Sequence, residues 1–457
     1  MHVLHAIHDF LPRHRAGSEI YALELARAQL ARHDVTVLCA DYDPQREHGH
    51  VVWRMHDGVP IVELINNWRC ASFEDTYRSP VITRRIRHVL QTLRPDVVHV
   101  HNLLNLSFDL PACAQELGIP VVATLHDYTL VCASGGQRVH RSDQHICHDI
   151  EPDRCARCFA ESPFYAQAAF ARVARGGRTA ALAGRVAGIV RRSFPALVTR
   201  AATAARQLGG MTVGATDIEA RLAAARKVFR DVDVFVSPSA SLGRDFERFG
   251  LSPDRIRVFD NGVVPLARTP RPAPKTPLRI GFVGTLVWHK GAHVLIDAVR
   301  ALPAGSCRVL IFGETGTFPD YTADLRARAV GLPVEFMGGF PRERTQDIYA
   351  QMDVLVVPSL WLENSPLVIH EAFMTGVPVV AARTGGVPEL VTDGVNGFLF
   401  ESASAADLAR MIRRFVDRPE LVTELAAAAP SVKSVEENAR EWDEMYAGVL
   451  RAKAEPA

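Results

Sequence analysis

The 457-residue chain has no uncharged run long enough to cross a bilayer: the longest, such as 372–382, fall well short of the roughly 18 residues a span needs. It also lacks an excess of either charge. With 52 Lys and Arg against 51 Asp and Glu, the formal net charge is +1, so no global field pulls the chain toward nucleic acid or membrane. No nucleic-acid partner is expected, and any charged partner must be recruited locally. The opening nine residues are only partly apolar and lack the basic-then-apolar order of a secretory leader, so the expected compartment is the cytoplasm. Eight cysteines are too few for a disulfide scaffold in a chain this long. No short-period repeat is visible. Neither half carries a full glycine fingerprint with an acidic residue about 20 positions on, which disfavours a nicotinamide dehydrogenase. What remains is an ordinary globular composition, 48% apolar and 23% charged, with length for two or three domains.

Short β-branched runs alternate with longer helical patterns, the order that builds a parallel sheet covered by helices. Residues 3–7, 34–40, 97–101, 120–126 and 232–238 read as strands, with a helix over 19–32. The same grammar restarts at Leu278, with strands over 279–283, 307–312, 334–337 and 354–358 and helices over 292–301, 321–330 and 344–352. Between them 263–277 holds Pro265, Pro270, Pro272, Pro274 and Pro277, a semi-rigid linker by composition. The expected organisation is α/β: two Rossmann-like, doubly wound domains over 1–262 and 278–430, facing a cleft. A carboxy-terminal helix within 431–457 would pack back on the first domain. Ligands in such sheets sit beyond the carboxyl ends of the strands, so both domains aim their loops into the cleft.

Residues 159–224 break the alternation. From Arg172 to Arg206 there are eight arginines and no acidic residue, interleaved with apolar side chains. This insertion reads either as a surface for anionic lipid, near an acceptor carried on lipid, or as a solvated helical hairpin.

The window Trp361 to Phe373 follows the strand ending at Pro358. Ser365 reads as an N-cap and Pro366 as the first helical residue, so a helix should open at the mouth of the cleft with free amides at Leu367 and Val368, a site for a diphosphate. Glu363 before the helix and Glu371 inside it lie roughly 10 Å apart at 1.5 Å per residue and suit sugar hydroxyls. Two glutamates near a helix start are also common surface features. Gly17 lets the backbone of the first loop come close to phosphate, and Glu19 suits the start of the following helix. A glycine at a strand-to-helix turn is also simply a turn.

This constellation resembles the retaining nucleotide-sugar glycosyltransferases of family four, which have the two-domain GT-B fold. The resemblance is carried by Glu363 and Glu371 with seven residues between, by Gly376-Val377-Pro378, Gly385-Gly386-Val387-Pro388-Glu389 and Asp393-Gly394-Val395-Asn396-Gly397. It extends to Phe282-Val283-Gly284-Thr285-Leu286 with Lys290-Gly291, to Asp260-Asn261-Gly262-Val263, to Pro12 with Ala16-Gly17-Ser18-Glu19, and to Thr124-Leu125-His126-Asp127. It covers most of the chain outside 159–224. It implies that Glu371 holds the ribose, that Glu363 with the amides of Asn364, Ser365, Pro366 and Leu367 region holds donor sugar and phosphate, and that Gly284 and Thr285 lie in the phosphate loop. Lys290 would neutralise the leaving diphosphate, and His126 would contact the donor sugar. No catalytic metal is expected. Where many relatives carry an arginine this chain has Thr285, so Arg13, Arg15 or His289 is the expected substitute cation. Asp127 reads as an acceptor contact or a turn cap. His99, His101 and Asn102 read as acceptor contacts or packing.

The resemblance implies transfer of a hexose-type sugar, with retention, to a hydroxyl of a glycan or lipid-linked glycan, in cell-surface polysaccharide or glycolipid synthesis, with the inner face of the cytoplasmic membrane, held peripherally, as an expected location beside the cytoplasm. The rivals are a nucleotide-sugar epimerase or a phosphorylase on the same fold and a degenerate scaffold. Cys132, Cys147, Cys155 and Cys158 stand apart: two thiols followed by a pair with two residues between have metal-ligand spacing, for a structural zinc or an iron–sulfur cluster, with reduced free thiols as the alternative. Cys39, Cys70, Cys113 and Cys307 lie in apolar runs and read as core.

Overall fold

A computed structural model describes residues 1–173, 211–268 and 276–454. In the first domain the apolar runs form β1 (His2–Ile7), β2 (Asp34–Asp41), β3 (Val51–His56), β4 (Val59–Ile65), β5 (Val97–Val100) and β6 (Val121–Thr124). A small hairpin, β7 (Val139–His140) and β8 (His145–Ile146), stands apart, and β9 (Val234–Ser237) and β10 (Ile256–Val258) complete the sheet. The sheet order is β10-β9-β6-β5-β1-β2-β4-β3, parallel except for β3. The antiparallel β3–β4 pair was not expected. It turns at Asp57-Gly58, both with positive φ (48° and 79°), the backbone a tight two-residue hairpin requires.

The second domain contains β11 (Leu278–Val283), β12 (Cys307–Phe312), β13 (Val334–Gly338), β14 (Val354–Val357), β15 (Val379–Ala382) and β16 (Gly397–Phe400), all parallel, in the order β13-β12-β11-β14-β15-β16. Chain order therefore reverses between β11 and β14, and in the first domain between β1 and β5. Such switch points leave a crevice beyond the strand ends. The loops after β11 and β14 carry Lys290 and Glu363, and those after β1 and β5 carry Gly17 and Asn102.

The polypeptide passes between the domains twice, and the two passages pair: the Val263 amide donates to the Lys433 carbonyl and the Val435 amide to the Val263 carbonyl, each at 3.0 Å. The helix Val435–Ala454 then lies on the first domain. Trp442 Nε1 donates to the Tyr21 hydroxyl at 2.9 Å, which donates to Asn438 Oδ1 at 2.8 Å. Residues 174–210, most of the basic run, and residues 269–275 of the linker lie outside the described residues. The flanks of the presumed insertion are not an appendage. Phe159, Ile218, Ala225, Val228 and Phe229 are buried in the first-domain core, because the helices Pro152–Glu161 and Ala215–Asp231 cover its sheet. Cys39, Cys70, Cys113 and Cys307 are buried.

Candidate active site

On the second-domain side, Glu363 is 5% exposed and accepts from Lys290 Nζ and from Ser359 Oγ, both at 2.6 Å to Oε1. Burial alone would raise this carboxyl, but the Lys290 ammonium and the Ser359 hydroxyl hold it below the usual carboxylate range. The expected phosphate cation and the expected sugar ligand are thus one ion pair. Gly291, with φ of 74°, anchors the Lys290 loop: a Cβ there would overlap the Pro358 carbonyl at the end of β14. Gly385 and Gly386 do the same for the opposite wall, where a side chain would collide with the backbone of Glu363 and Asn364, and where the Gly386 amide donates to the Glu363 carbonyl at 2.7 Å.

The helix runs Leu367–Thr375, with Pro366 rather than Ser365 at its cap position and no side-chain cap. Ser365 instead donates to Asp260 Oδ1 at 2.5 Å and lies 2.8 Å from His370 Nε2, because Asp260 arrives from the first-domain end of the crossing. The Leu367 and Val368 amides at the helix start have no partner within the helix, while the Ile369 amide donates to the Pro366 carbonyl at 2.9 Å. Inside the helix Glu371 accepts from the Tyr349 hydroxyl at 2.9 Å and lies 3.7 Å from Arg342. Burial pushes the Glu371 carboxyl up, and Tyr349 and Arg342 oppose the rise. Gly284 donates its amide to the Phe312 carbonyl at 3.0 Å, and Thr285 is exposed at the loop after β11.

The three expected substitute cations stand in different states. His289 is buried, and burial, together with neighbouring Lys290 and Arg141, pushes its imidazole down to about 3, so it is neutral. Arg13 is paired with Asp41. Arg15 is exposed and, among the described residues, in no ion pair. Arg342, 3.7 Å from both Glu371 and Glu24, is the cation that sequence reasoning missed, as it missed Tyr349, Ser359 and Asp260. Ser359 directly after the strand and Asp260 in the Asp-Asn-Gly run were visible signals; Tyr349 and Arg342 had none.

On the first-domain side, half-buried His126 and buried His101 and His5 form a chain: His126 Nε2 is 3.0 Å from His101 Nδ1, His101 Nε2 is 2.9 Å from His5 Nδ1, and His5 Nε2 is 2.9 Å from Gln29 Oε1. Burial pushes His5 down to about 4, His126 to about 3 and His101 well below its ordinary value. With all three neutral, the Gln29 carbonyl takes the His5 Nε2 proton. His5 Nδ1 then accepts from His101 and His101 Nδ1 from His126, leaving His126 Nδ1 as an acceptor. Asn102 Nδ2 donates to Asp127 Oδ2 at 3.0 Å, and Asp127 Oδ1 accepts from the Thr129 amide at 2.7 Å, so Asp127 closes its own turn.

His99 does not reach the rim. It is fully buried between the sheet and the carboxy-terminal helix, its ring nitrogens on the Tyr446 hydroxyl and Thr124 Oγ1, each at 2.7 Å. Of the two readings for His99, acceptor contact or packing, the geometry fits packing; the covering Tyr446 is 347 residues away in sequence and invisible locally. His101 is likewise enclosed, with both nitrogens on other histidines.

The two sides meet. Asn364 Nδ2 donates to the His126 carbonyl, while Asn364 Oδ1 is buried without a partner. A Cβ on Gly17 would touch only Leu367 Cδ1, at 3.8 Å. Glu389 accepts from the amides of Ala240 and Ser241 at 2.7 Å, capping a first-domain helix from the second domain. Cys132, Cys147, Cys155 and Cys158 line one cavity below this rim.

Comparison with known proteins bears on the family and the fold. A family model described as glycosyl transferases group 1 matches residues 265–432, and one described as glycosyltransferase family 4 matches residues 15–169. A D-inositol 3-phosphate glycosyltransferase of Corynebacterium aurimucosum is 34% identical over 44% of this chain and 52% of its own, and the sulfoquinovosyl transferase SQD2 of Arabidopsis thaliana is 30% identical over 41% and 38%. The chain therefore matches about half or less of the length of these curated relatives. The crystal structure of Anabaena Alr3699/HepE in complex with UDP and glucose superposes with a TM-score of 0.62 at 17% identity, covering 97% of this chain and 99% of that one, which shows the same GT-B fold. With one model on each side of the cleft, this chain belongs to the group 1, family 4 glycosyltransferases.

Proposed function

We propose that the cleft transfers a hexose-type sugar, with retention of configuration, from a nucleotide-sugar donor to a hydroxyl of a glycan or lipid-linked glycan. The observation that carries this reading is the Lys290–Glu363 pair at the start of the Leu367–Thr375 helix, with Asn364 beside it reaching the His126 carbonyl across the cleft. The complex of HepE with UDP and glucose supports a donor of this class.

In this reading a diphosphate draws the Lys290 ammonium toward its oxygens and lies against the free amides at Leu367 and Val368, where the helix dipole favours negative charge. Glu363, thereby released, and the unpartnered Asn364 Oδ1 accept hydroxyls of the sugar. Glu371, oriented by the Tyr349 hydroxyl, accepts the ribose hydroxyls. As the bond from sugar to phosphate breaks, negative charge grows on the phosphate oxygen where Lys290 and the helix start already stand, and the sugar becomes oxocarbenium-like. The acceptor hydroxyl enters on the face the diphosphate leaves, and its proton passes to the departing phosphate oxygen. No base is needed on the far face of the sugar. Lys290 and the helix end supply the charge that a metal provides elsewhere.

Peripheral attachment to an anionic membrane belongs to the same proposal and rests on the composition of 172–206. Among the described residues no helix is long and apolar enough to cross a membrane. The test is a panel of nucleotide sugars, following nucleoside diphosphate release with and without a crude lipid-linked acceptor, and the anomeric configuration of the product by NMR. Release from one donor, enhanced by acceptor, with the donor's anomeric configuration kept, is expected. Inversion refutes the retaining mechanism, and silence across the panel with no nucleotide binding refutes the enzyme in favour of a scaffold. Sedimentation with anionic but not neutral liposomes at low salt is expected, and equal recovery with both refutes the membrane contact.

A further inference from the structure

We propose that Cys132, Cys147, Cys155 and Cys158 bind one tetrahedral divalent ion of the zinc class, which fastens the loop between the two domains. Four thiols from three separate pieces of chain converge: Cys132 after the Tyr128 turn, Cys147 at the end of the β7–β8 hairpin, and Cys155 and Cys158 three residues apart on one face of the helix Pro152–Glu161. They surround a cavity of about 30 Å³. Roughly 10–15 Å³ suffices for one water, so a single ion fits. None of the four is in a disulfide.

The second observation is electrical. Arg138, 3% exposed, lines the same cavity with Arg154, and its Nη1 and Nη2 have no hydrogen-bond partner. Its nearest carboxylate oxygen, on Asp245, is 4.0 Å away, and its guanidinium is held between the rings of Tyr128 and Phe249 at 5.1 and 4.8 Å. Asp245 thus gives the guanidinium a counter-charge but no hydrogen bond, and a buried donor left without an acceptor is costly. Asp149 also lines the cavity, and four neutral thiols add neither further charge nor a strong acceptor. Uptake of M²⁺ by four thiols forms four metal–sulfur bonds and releases four protons, leaving a complex of net charge −2 beside Arg138 and Arg154. At a metal–sulfur distance of about 2.3 Å the sulfurs close to roughly 3.8 Å from one another, so binding tightens the loop around the ion.

The buried histidines are the rival site. Nitrogens of His5, His99 and His101 lie within 4.8 Å of one another. Each ring, however, already has both nitrogens on polar partners, whereas Nη1 and Nη2 of Arg138 have no hydrogen-bond partner.

The site has a mechanical consequence. The β7–β8 hairpin reaches the second domain, where Ile146 packs on its core and Arg141 lies 5.5 Å from the Phe318 ring. Fastening the hairpin to the helix Pro152–Glu161 therefore braces the domain contact beside His289 and Lys290.

The test measures metal rather than activity. The full-length protein, purified without chelator, is expected to carry one zinc per chain by elemental analysis, and after chelator stripping to regain one equivalent with release of protons. Cobalt(II) added to the stripped protein should give the intense absorption of tetrahedral thiolate coordination. Cys155→Ser with Cys158→Ser should abolish uptake. Should that variant fail to fold, Arg138→Gln, which keeps all four ligands, should weaken zinc binding roughly tenfold or more. A stripped protein that takes up neither zinc nor cobalt overturns the proposal, as does an iron–sulfur chromophore or a pair of disulfides by mass spectrometry. An Arg138→Gln affinity equal to wild type overturns the electrostatic argument.

Discussion

Replacing Lys290 by Met should reveal what the Lys290–Glu363 pair contributes. Met keeps much of the apolar stem and removes the ammonium 2.6 Å from Glu363 Oε1. Glu363 is 5% exposed and retains only the Ser359 hydroxyl as a close donor to that oxygen, so its charge is left buried without a counter-ion. Breaking such a pair costs about 3–5 kcal/mol, and the low end applies because Lys290 itself is a quarter exposed. About 3 kcal/mol in a domain of this size lowers Tm by roughly 6–12 °C. The double variant Lys290→Met with Glu363→Gln removes the stranded charge and should recover most of that loss while remaining inactive. The effect of pH has opposite signs in the two proteins. In the wild type the Glu363 carboxyl is held below its ordinary value, so its stabilisation is present above the unfolded pKa and is lost as pH falls through the folded one. In Lys290→Met burial dominates and raises it, so the native state binds the extra proton and stability falls as pH rises. The gap in Tm between the two should therefore widen from pH 4.5 to pH 8. Calorimetric or dichroism melts across that range are the assay. Equal melting of single and double variants, or a gap independent of pH, refutes the reasoning.

Glu371→Gln should weaken nucleoside diphosphate binding about tenfold or more by calorimetry, the value of a charge-assisted bond of roughly 1.5–3 kcal/mol. Because burial raises the Glu371 carboxyl, wild-type affinity should fall as the solution is acidified through that raised value, and the variant's should not. Glu389→Ala removes acceptors 2.7 Å from the amides of Ala240 and Ser241 and should open the cleft, read as a larger radius of gyration by solution scattering; an unchanged radius refutes a latch there. His99→Ala should lower Tm and leave the acceptor KM unchanged, and a raised KM at unchanged Tm would return His99 to the rim.

Local physics made much of this protein legible. Short apolar runs buried on both faces have one structural use, so the strand positions, the restart at Leu278 and the window around Glu363 could be read without coordinates. The β3–β4 hairpin was equally legible, since Asp57-Gly58 between β-branched runs is a turn signal, and it was overlooked. The partners of the site residues were not. Lys290 and Glu363 are 73 residues apart, and Tyr349 and Glu371 22 apart, and a charge in sequence does not disclose its counter-ion. His99 looked like a rim residue because a strand end with histidines points to a cleft. Only the packing of Trp442 and Tyr446 across the sheet decided that its ring is enclosed. Which segments become strands and helices, and where a helix start meets the cleft, follow from period and caps, which are local. The tertiary structure alone decided which side chains are buried together, and with that their charge states, since desolvation and pairing depend on neighbours brought from distant parts of the chain.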